Sequence, residues 1–242
     1  MTLDIITVCR NSLEALKLTA QSVKNLAADN ENIRWIIVDG DSNDGTKEYL
    51  KTVDIKQLII ISEKDNGIYD AMNKGLSVVK SDYFVFINAG DYILGDLYCT
   101  LSELSESHVH CFATKWHDSD LRDIRRSSRV IPLIGKMMPH QGMFFPKRFS
   151  RVKYDSNLRI SADLKMKYYF FDNDHCCVHS EPMVSSLIGG ISQRPLSVQE
   201  FIERIRENWK AQSETSWVRR YATLLYLLFS LVRRIRYRVY AP

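Results

Sequence analysis

No Cys-x-x-Cys pair occurs in the 242 residues. The five cysteines, Cys9, Cys99, Cys111, Cys176 and Cys177, are scattered and odd in number. That excludes the common zinc and dithiol motifs and leaves buried reduced thiols of a cytosolic protein as the plain reading. No apolar run approaches the roughly 20 residues a bilayer span requires, so no transmembrane span is expected. Met1-Thr2-Leu3-Asp4 has no basic leader and runs straight into a strand pattern, so no signal peptide is expected either. No G-x-G-x-x-G follows that first strand, which disfavours a dinucleotide-binding fingerprint. Internal repeats and low-complexity tracts are also missing.

What is present is ordinary globular composition: 45% hydrophobic and 26% charged residues, enough for one large domain and an appendage. The net charge of +4 is local. Six of the 33 basic residues lie in 217–242, which holds no acid; the other 27 face 29 acids. A nucleic-acid-binding surface over the whole chain is therefore not expected.

Leu3–Val8, Ile33–Val38, Gln57–Ser62 and Tyr83–Ile87 read as strands. Helical patterns over Ser12–Ala28, Lys47–Val53 and Ile68–Val79 alternate with them. Strands alternating with helices imply right-handed crossovers and an α/β fold with a mainly parallel sheet flanked by helices. Ligands of such sheets bind outside the carboxyl ends of the strands. Four polar clusters fall there: Thr7–Asn11, Asp39–Asp44, Glu63–Asp70 and Asn88–Asp91. From Ser107 to Ser161 the pattern is less regular, with a basic, loop-like part at Arg122–Arg129; a helix follows Ser161-Ala162-Asp163. Ser197-Val198-Gln199-Glu200 is a capping box, and it opens an amphipathic helix with Val198, Phe201, Ile202, Ile205 and Trp209 on one face.

Each polar residue also has a plainer reading. Asn88-Ala89-Gly90-Asp91 suits a turn. Asp39 and Asp44 suit turn and helix capping, Asp163 suits the first turn of a helix, and His140 in its apolar run suits a core histidine.

The ordered set "IITVCRN", "WIIVDGDSNDGT", "SEKDNGIYDAMNKG", "YFVFINAGD", "PHQGMFF", "SADLKMK" and "GGIS", spanning about 3–192, resembles the family 2 inverting glycosyltransferases of GT-A fold. The short bacterial enzymes of O-antigen, capsule and colanic-acid assembly are the most similar. The resemblance implies that Thr7, Cys9 and Arg10 meet the nucleotide base and ribose. It implies that Asp39 faces the uracil side. Relatives often carry a second acid directly after it; here that position is Gly40, with Asp41 beyond, so the base-reading carboxylate is Asp39 or Asp41. Asp65, Asp70, Asn73 and Lys74 match the segment that wraps the nucleotide and donor sugar. Asn88 and Asp91 match the ends of the acidic metal motif, and Asp91 is left as the metal ligand, for Mn²⁺ or Mg²⁺. Asp163 falls at the catalytic base. His140 and Gln141 match a strand on the acceptor and donor-sugar side, and Gly189–Arg194 a loop that orders over the donor, with Arg194 in it.

The implied organisation is a transferase domain over 1–195 and a helical, membrane-associating extension over 196–242. Within the domain, 1–106 is the nucleotide-sugar half and 107–195 the acceptor half. The implied donor is a UDP-sugar, UDP-galactose or UDP-glucose. The implied acceptor is a saccharide on an undecaprenyl-pyrophosphate type of lipid. Two rival readings are a sugar-phosphate nucleotidyltransferase, which would show a glycine-rich basic loop where Cys9-Arg10-Asn11-Ser12 stands, and a non-catalytic nucleotide-sugar-binding subunit, which would not need Asp163.

Trp217–Tyr240 has a twelve-residue apolar centre, Tyr221–Val232, flanked by arginines. As a helix it would measure about 18 Å against a hydrocarbon core of about 30 Å. It is expected to lie in the plane of an anionic membrane surface at the cytoplasmic face of the bacterial inner membrane. A helix packed on the domain, or a homodimer contact, is the competing reading.

Overall fold

The computed structural model describes residues 1–28, 30–94, 97, 104, 108–118, 120–127, 139–173, 176–187, 198–212, 221, 224 and 225. Among the described residues nine strands form one sheet: β1 (Leu3–Cys9), β2 (Ile33–Asp39), β3 (Leu58–Ser62), β4 (Tyr83–Phe86), β5 (Tyr92–Ile93), β6 (Val109–His117), β7 (Asp123–Ser127), β8 (Met143–Pro146) and β9 (Cys176–Leu187). Their spatial order is β3-β2-β1-β4-β8-β6-β9-β5, with β7 beside β6. The described helices are α1 (Leu13–Ala27), α2 (Thr46–Leu50), α3 (Ile68–Ser77), α4 (Ala162–Asn173) and α5 (Val198–Ala211).

β1, β2, β3 and β4 are wholly parallel, as the alternating pattern predicts. Their residues are apolar on both faces because helices cover both. Ile6, Val8, Ile36, Val38, Phe84 and Phe86 pack with Met72 of α3 and with Met166 and Phe170 of α4. Leu3, Ile5, Trp35 and Ile37 pack on the other side with Leu16, Ala20 and Val23 of α1. The first-half elements agree with the sequence reading to within a few residues at each end.

The second half is more regular than its sequence suggests. β6 pairs in parallel with β9 along its whole length, and antiparallel β8 joins β6 to β4. One sheet thus runs through both halves. The register between β6 and β9 shifts at Phe112–Thr114, opposite Pro182, where a bulge accommodates a residue that cannot donate to the ladder. Part of the basic stretch expected as loop, Asp123–Ser127, is β7, antiparallel to β6.

α5 docks on the start of α4. The Glu207 carboxylate accepts from the backbone N–H groups of Arg159 (2.9 Å), Ile160 (2.8 Å) and Ser161 (3.2 Å), and Ser161 Oγ donates to Asn208 Oδ1 at 2.6 Å. Among the described residues no helix is long and apolar enough to cross a membrane.

Candidate active site

The parallel register sets Cys9, Asp39 and Ser62 side by side at the carboxyl ends of β1, β2 and β3. Asp39 is fully buried. Its carboxylate accepts from Ser62 Oγ (2.7 Å), from the Ser42 N–H (3.3 Å) and from Ser42 Oγ. Ser42 Oγ in turn accepts from the Asn11 N–H at 2.8 Å. Asp39 therefore ties three loops together. Asp44 does similar work: it accepts from the Leu13 N–H at the start of α1 and from the N–H and hydroxyl of Thr46 at the start of α2. The capping reading of both residues is thus visible in the structure. Cys9 is buried, and burial, with the charges of Asp39, Asp44 and Asp65, pushes its thiol up to about 12. It stays protonated at neutral pH and is no nucleophile.

Three expected site residues turn elsewhere. Thr7 has no exposed surface; its hydroxyl donates to Ile87 O (2.6 Å) and accepts from Trp35 Nε1 (2.9 Å), stitching β1 to its neighbours. Asp41 points into solvent and pairs with Lys47. Asn73 has both amide atoms engaged by the backbone of Tyr154, at 2.9 and 2.8 Å, so it clamps α3 to the second half of the chain. Asp70 and Lys74 stay at the sheet edge: Asp70 accepts from the Asn66 N–H at 2.9 Å, and Lys74 lies 2.9 Å from Glu63 and 3.9 Å from Asp70. Arg194 and its loop lie outside the described residues.

A second group forms where β4 ends. Asp91 is buried, and burial pushes its carboxyl up to about 7 against the pull of hydrogen bonds from the Asn88 and Leu187 N–H groups. Asn88 Nδ2 lies 3.4 Å from His140 Nε2, and His140 Nδ1 lies 4.0 Å from Asp163 Oδ2. Burial drives His140 down to about 4, so it is neutral at pH 7. Gly142 lets the turn that carries His140 and Gln141 lie against β6, since a Cβ there would sit 2.5 Å from Phe112 O.

Asp163 occupies the first turn of α4. Lys167, one turn on, reaches its Oδ2 at 2.8 Å, and the Tyr69 hydroxyl donates to Oδ1 at 3.4 Å. Burial alone would raise this carboxyl, but the Lys167 ammonium outweighs it and holds Asp163 below the usual aspartate range. The result is an ionised, half-buried carboxylate fixed at both oxygens. Sequence reading passed over both of its partners. Lys167 was legible as an i, i+4 pair with Asp163. Tyr69 comes from α3 and had no signal in the sequence.

The Asn88 Oδ1 atom is buried without a hydrogen-bond partner among the described residues. An unpartnered hard oxygen one turn from the Asp91 carboxylate fits a divalent cation. No group of three His, Cys, Asp or Glu residues that could hold a metal occurs among the described residues. The protein's share of such a site is one carboxylate and one amide oxygen, and phosphate oxygens of a ligand would have to complete it.

Comparison with known proteins supports the same class. Over 94 residues the chain is 33% identical to "Uncharacterized glycosyltransferase Rv1514c" of Mycobacterium tuberculosis, covering 39% of this chain and 36% of that one. A counterpart from a second strain, MT1564, matches equally. The chain therefore spans about a third of the length of these curated relatives. Among solved structures, TarS 1–349 of Staphylococcus aureus in complex with UDP-GlcNAc superposes with a TM-score of 0.72 at 14% identity, over 100% of this chain and 76% of that one. The mannosyltransferase PcManGT of Pyrobaculum calidifontis, in complex with GDP-Man and Mn²⁺, superposes with a TM-score of 0.62 at 12% identity, over 88% of this chain and 63% of that one. These likenesses establish the fold as that of GT-A glycosyltransferases. The model for glycosyl transferase family 2 matches residues 4–166, more than half of the chain, and the chain belongs to that family.

Proposed function

We propose that the protein transfers a hexose from a UDP-sugar to a saccharide carried on a lipid pyrophosphate, with inversion at the anomeric carbon. The observation that carries this reading is the ionised Asp163 carboxylate, with His140 lying between it and Asn88 at the end of β4. A proton acceptor and a site suited to diphosphate thereby face one sheet edge.

The reaction is read as a single displacement. The acceptor hydroxyl attacks the sugar's anomeric carbon as the bond to the diphosphate oxygen breaks. Its proton passes to Asp163. Attack from the face opposite the leaving group converts an α-linked donor into a β-linked product. Lys167 and Tyr69 hold the carboxylate in place, which reduces the orientational part of the barrier. Asp91 and Asn88 would hold Mg²⁺ or Mn²⁺, which would supply charge neutralisation to the departing diphosphate. The reading extends to surface-polysaccharide assembly, O-antigen or capsule, with the chain at the cytoplasmic face of the inner membrane. It keeps residues 1–195 as the transferase domain and 196–242 as its membrane-associating extension.

The test is purified protein with Mg²⁺ or Mn²⁺, offered UDP- and GDP-hexoses and synthetic lipid-pyrophosphate saccharides. Acceptor-dependent release of UDP, abolished by EDTA and by Asp91→Ala, is expected. Activity untouched by EDTA removes the metal role. Synthesis of nucleotide-sugar from UTP and sugar 1-phosphate would make the protein a nucleotidyltransferase. Donor binding without turnover on any acceptor would make it a binding subunit.

A further inference from the structure

Two carboxylates at the ends of β1–β3 are buried, and they differ in what they have left to offer. Asp39 has no exposed surface, and both of its oxygens accept from Ser42 or Ser62. Asp65 is 9% exposed. Its Oδ1 accepts from the Gly67 N–H at 3.0 Å, while its Oδ2 has no hydrogen-bond partner among the described residues. That free oxygen lies over the backbone of Gly40. A Cβ on Gly40 would stand 2.1 Å from Asp65 Oδ2, 3.0 Å from its Cγ and 3.3 Å from Arg10 Cδ. Gly40 is thus the floor under two groups, a carboxylate oxygen with an open acceptor site and the stem of Arg10. Arg10 is exposed, and among the described residues it makes no hydrogen bond or ion pair.

Resting on the nucleotide-sugar reading above, we propose that Asp65, and not Asp39, is the carboxylate that reads the donor's base, and that with Arg10 it selects the imide edge of uracil. That edge presents one N–H between two carbonyl oxygens. One open carboxylate oxygen accepts the N–H, and an unpaired guanidinium donates to a flanking carbonyl. Guanine offers two adjacent N–H donors and asks for two free carboxylate oxygens, but the Gly67 N–H already holds one. Cytosine and adenine place a bare ring nitrogen, an acceptor, against the carboxylate. A site built to pair with an N–H discriminates strongly against a base that lacks it. Thymine shares the imide edge. Asp39 is a positioning residue that holds the loops around Asp65.

The experiment is calorimetric titration of the full chain, in Mg²⁺, with UDP, dTDP, GDP and CDP. Wild type should bind UDP and dTDP at least about tenfold more tightly than GDP or CDP. In Asp65→Asn the Gly67 N–H should keep the amide oxygen on its side and turn the NH₂ toward the base. An acceptor then becomes a donor. UDP affinity should fall about 10- to 100-fold and the UDP-over-CDP preference should collapse or invert. Asp39→Asn should lower Tm and keep that preference. Gly40→Ala is the second variant: its methyl displaces the Asp65 carboxylate, so it should lose UDP affinity, and adding Asp65→Ala to it should cost little more. Wild-type binding of UDP with an unchanged UDP-over-CDP ratio in both Asp65→Asn and Gly40→Ala overturns the assignment alone. Wild-type failure to bind any of the four nucleotides overturns the donor reading as well.

Discussion

Asp163 shows how a single side chain's neighbours set its chemistry. A carboxylate at a helix start is a common capping device, and its position alone favours no particular role. Two contacts decide: Lys167 at 2.8 Å keeps the carboxylate charged, and Lys167 with the Tyr69 hydroxyl at 3.4 Å fixes its two oxygens. Asp163→Asn keeps the shape and removes the proton acceptor, so transfer should fall about 10²- to 10⁴-fold with UDP affinity nearly unchanged. Rapid-quench transfer assays beside UDP titrations check this. Near-normal transfer would move the base elsewhere. Lys167→Met gives a separate reading of the same site. In the proposed role Asp163 acts as carboxylate, so activity should be present above its pKa and lost as pH falls through it. Lys167 depresses that pKa against burial. Without Lys167 the acidic limb of kcat/KM should move to higher pH. An unmoved limb with a reduced rate would mean that Lys167 only packs. The same scale shows where sequence reading ends. Asp39, Asp65, Asn88 and Asp91 stood out because polar residues crowded at strand ends are visible in a linear sequence, whereas Asp163, in the first turn of α4, was named by the family resemblance. That Thr7 and Asn73 hydrogen-bond inward was not visible, because their partners Trp35, Ile87 and Tyr154 are distant in sequence.

At the scale of elements, the four parallel strands were legible for a simple reason: both faces are buried, so their residues read as near-continuous apolar runs. β6 and β9 were not legible. They bury polar side chains that interrupt any hydrophobic period, and only folding supplies the partners. His117 Nδ1 lies 2.9 Å from Ser185 Oγ, and His110 Nδ1 lies 3.0 Å from His179 Nε2. Pro182 inside β9 argues against a strand unless the bulge opposite it is known. The capping box at Ser197–Glu200 marked α5 in advance, but the partner α5 serves was hidden. Glu207 supplies acceptors to three consecutive N–H groups at 159–161, immediately before the helix that carries Asp163. Glu207→Gln replaces a carboxylate with one neutral acceptor oxygen. It should cost about 1–2 kcal/mol of stability, read as a lower Tm and a lower denaturation midpoint. On the proposed reading, transfer should fall more than UDP affinity does, because the disturbed turn precedes Asp163 and lies away from the carboxyl ends of β1–β3. Equal loss of both would mean that Glu207 supports the whole fold without preference.

For the molecule as a whole, the question is where its basic charge and its apolar surface meet. Outside 217–242 acids slightly outnumber bases, and within it six arginines face no acid. Described residues of this segment and of α5 expose large apolar side chains: Tyr221 is 55% exposed, Leu225 66% and, in α5, Ile202 44%. Tyr221 also meets Trp209 of α5, the helix that braces α4, edge-on at 5.5 Å between ring centroids. A twelve-residue apolar centre is too short to span a bilayer, yet flanking arginines can reach anionic headgroups while their stems cover apolar surface. Each basic side chain near an anionic leaflet contributes about 1 kcal/mol, and buried apolar area adds to that. An enzyme whose acceptor is lipid-bound gains effective concentration by lying on the same surface. Truncation after Thr215 should therefore release the protein from anionic liposomes and lower turnover on long-chain lipid acceptors. Turnover on short soluble acceptors, and UDP affinity, should change little, because the nucleotide end of the sheet is built from residues before Asp91. Full-length protein that fails to pellet with anionic liposomes at low salt would make 217–240 a packing or dimer segment. Sedimentation velocity of the two forms would then tell those apart, a dimer losing mass on truncation and a packed helix losing only Tm.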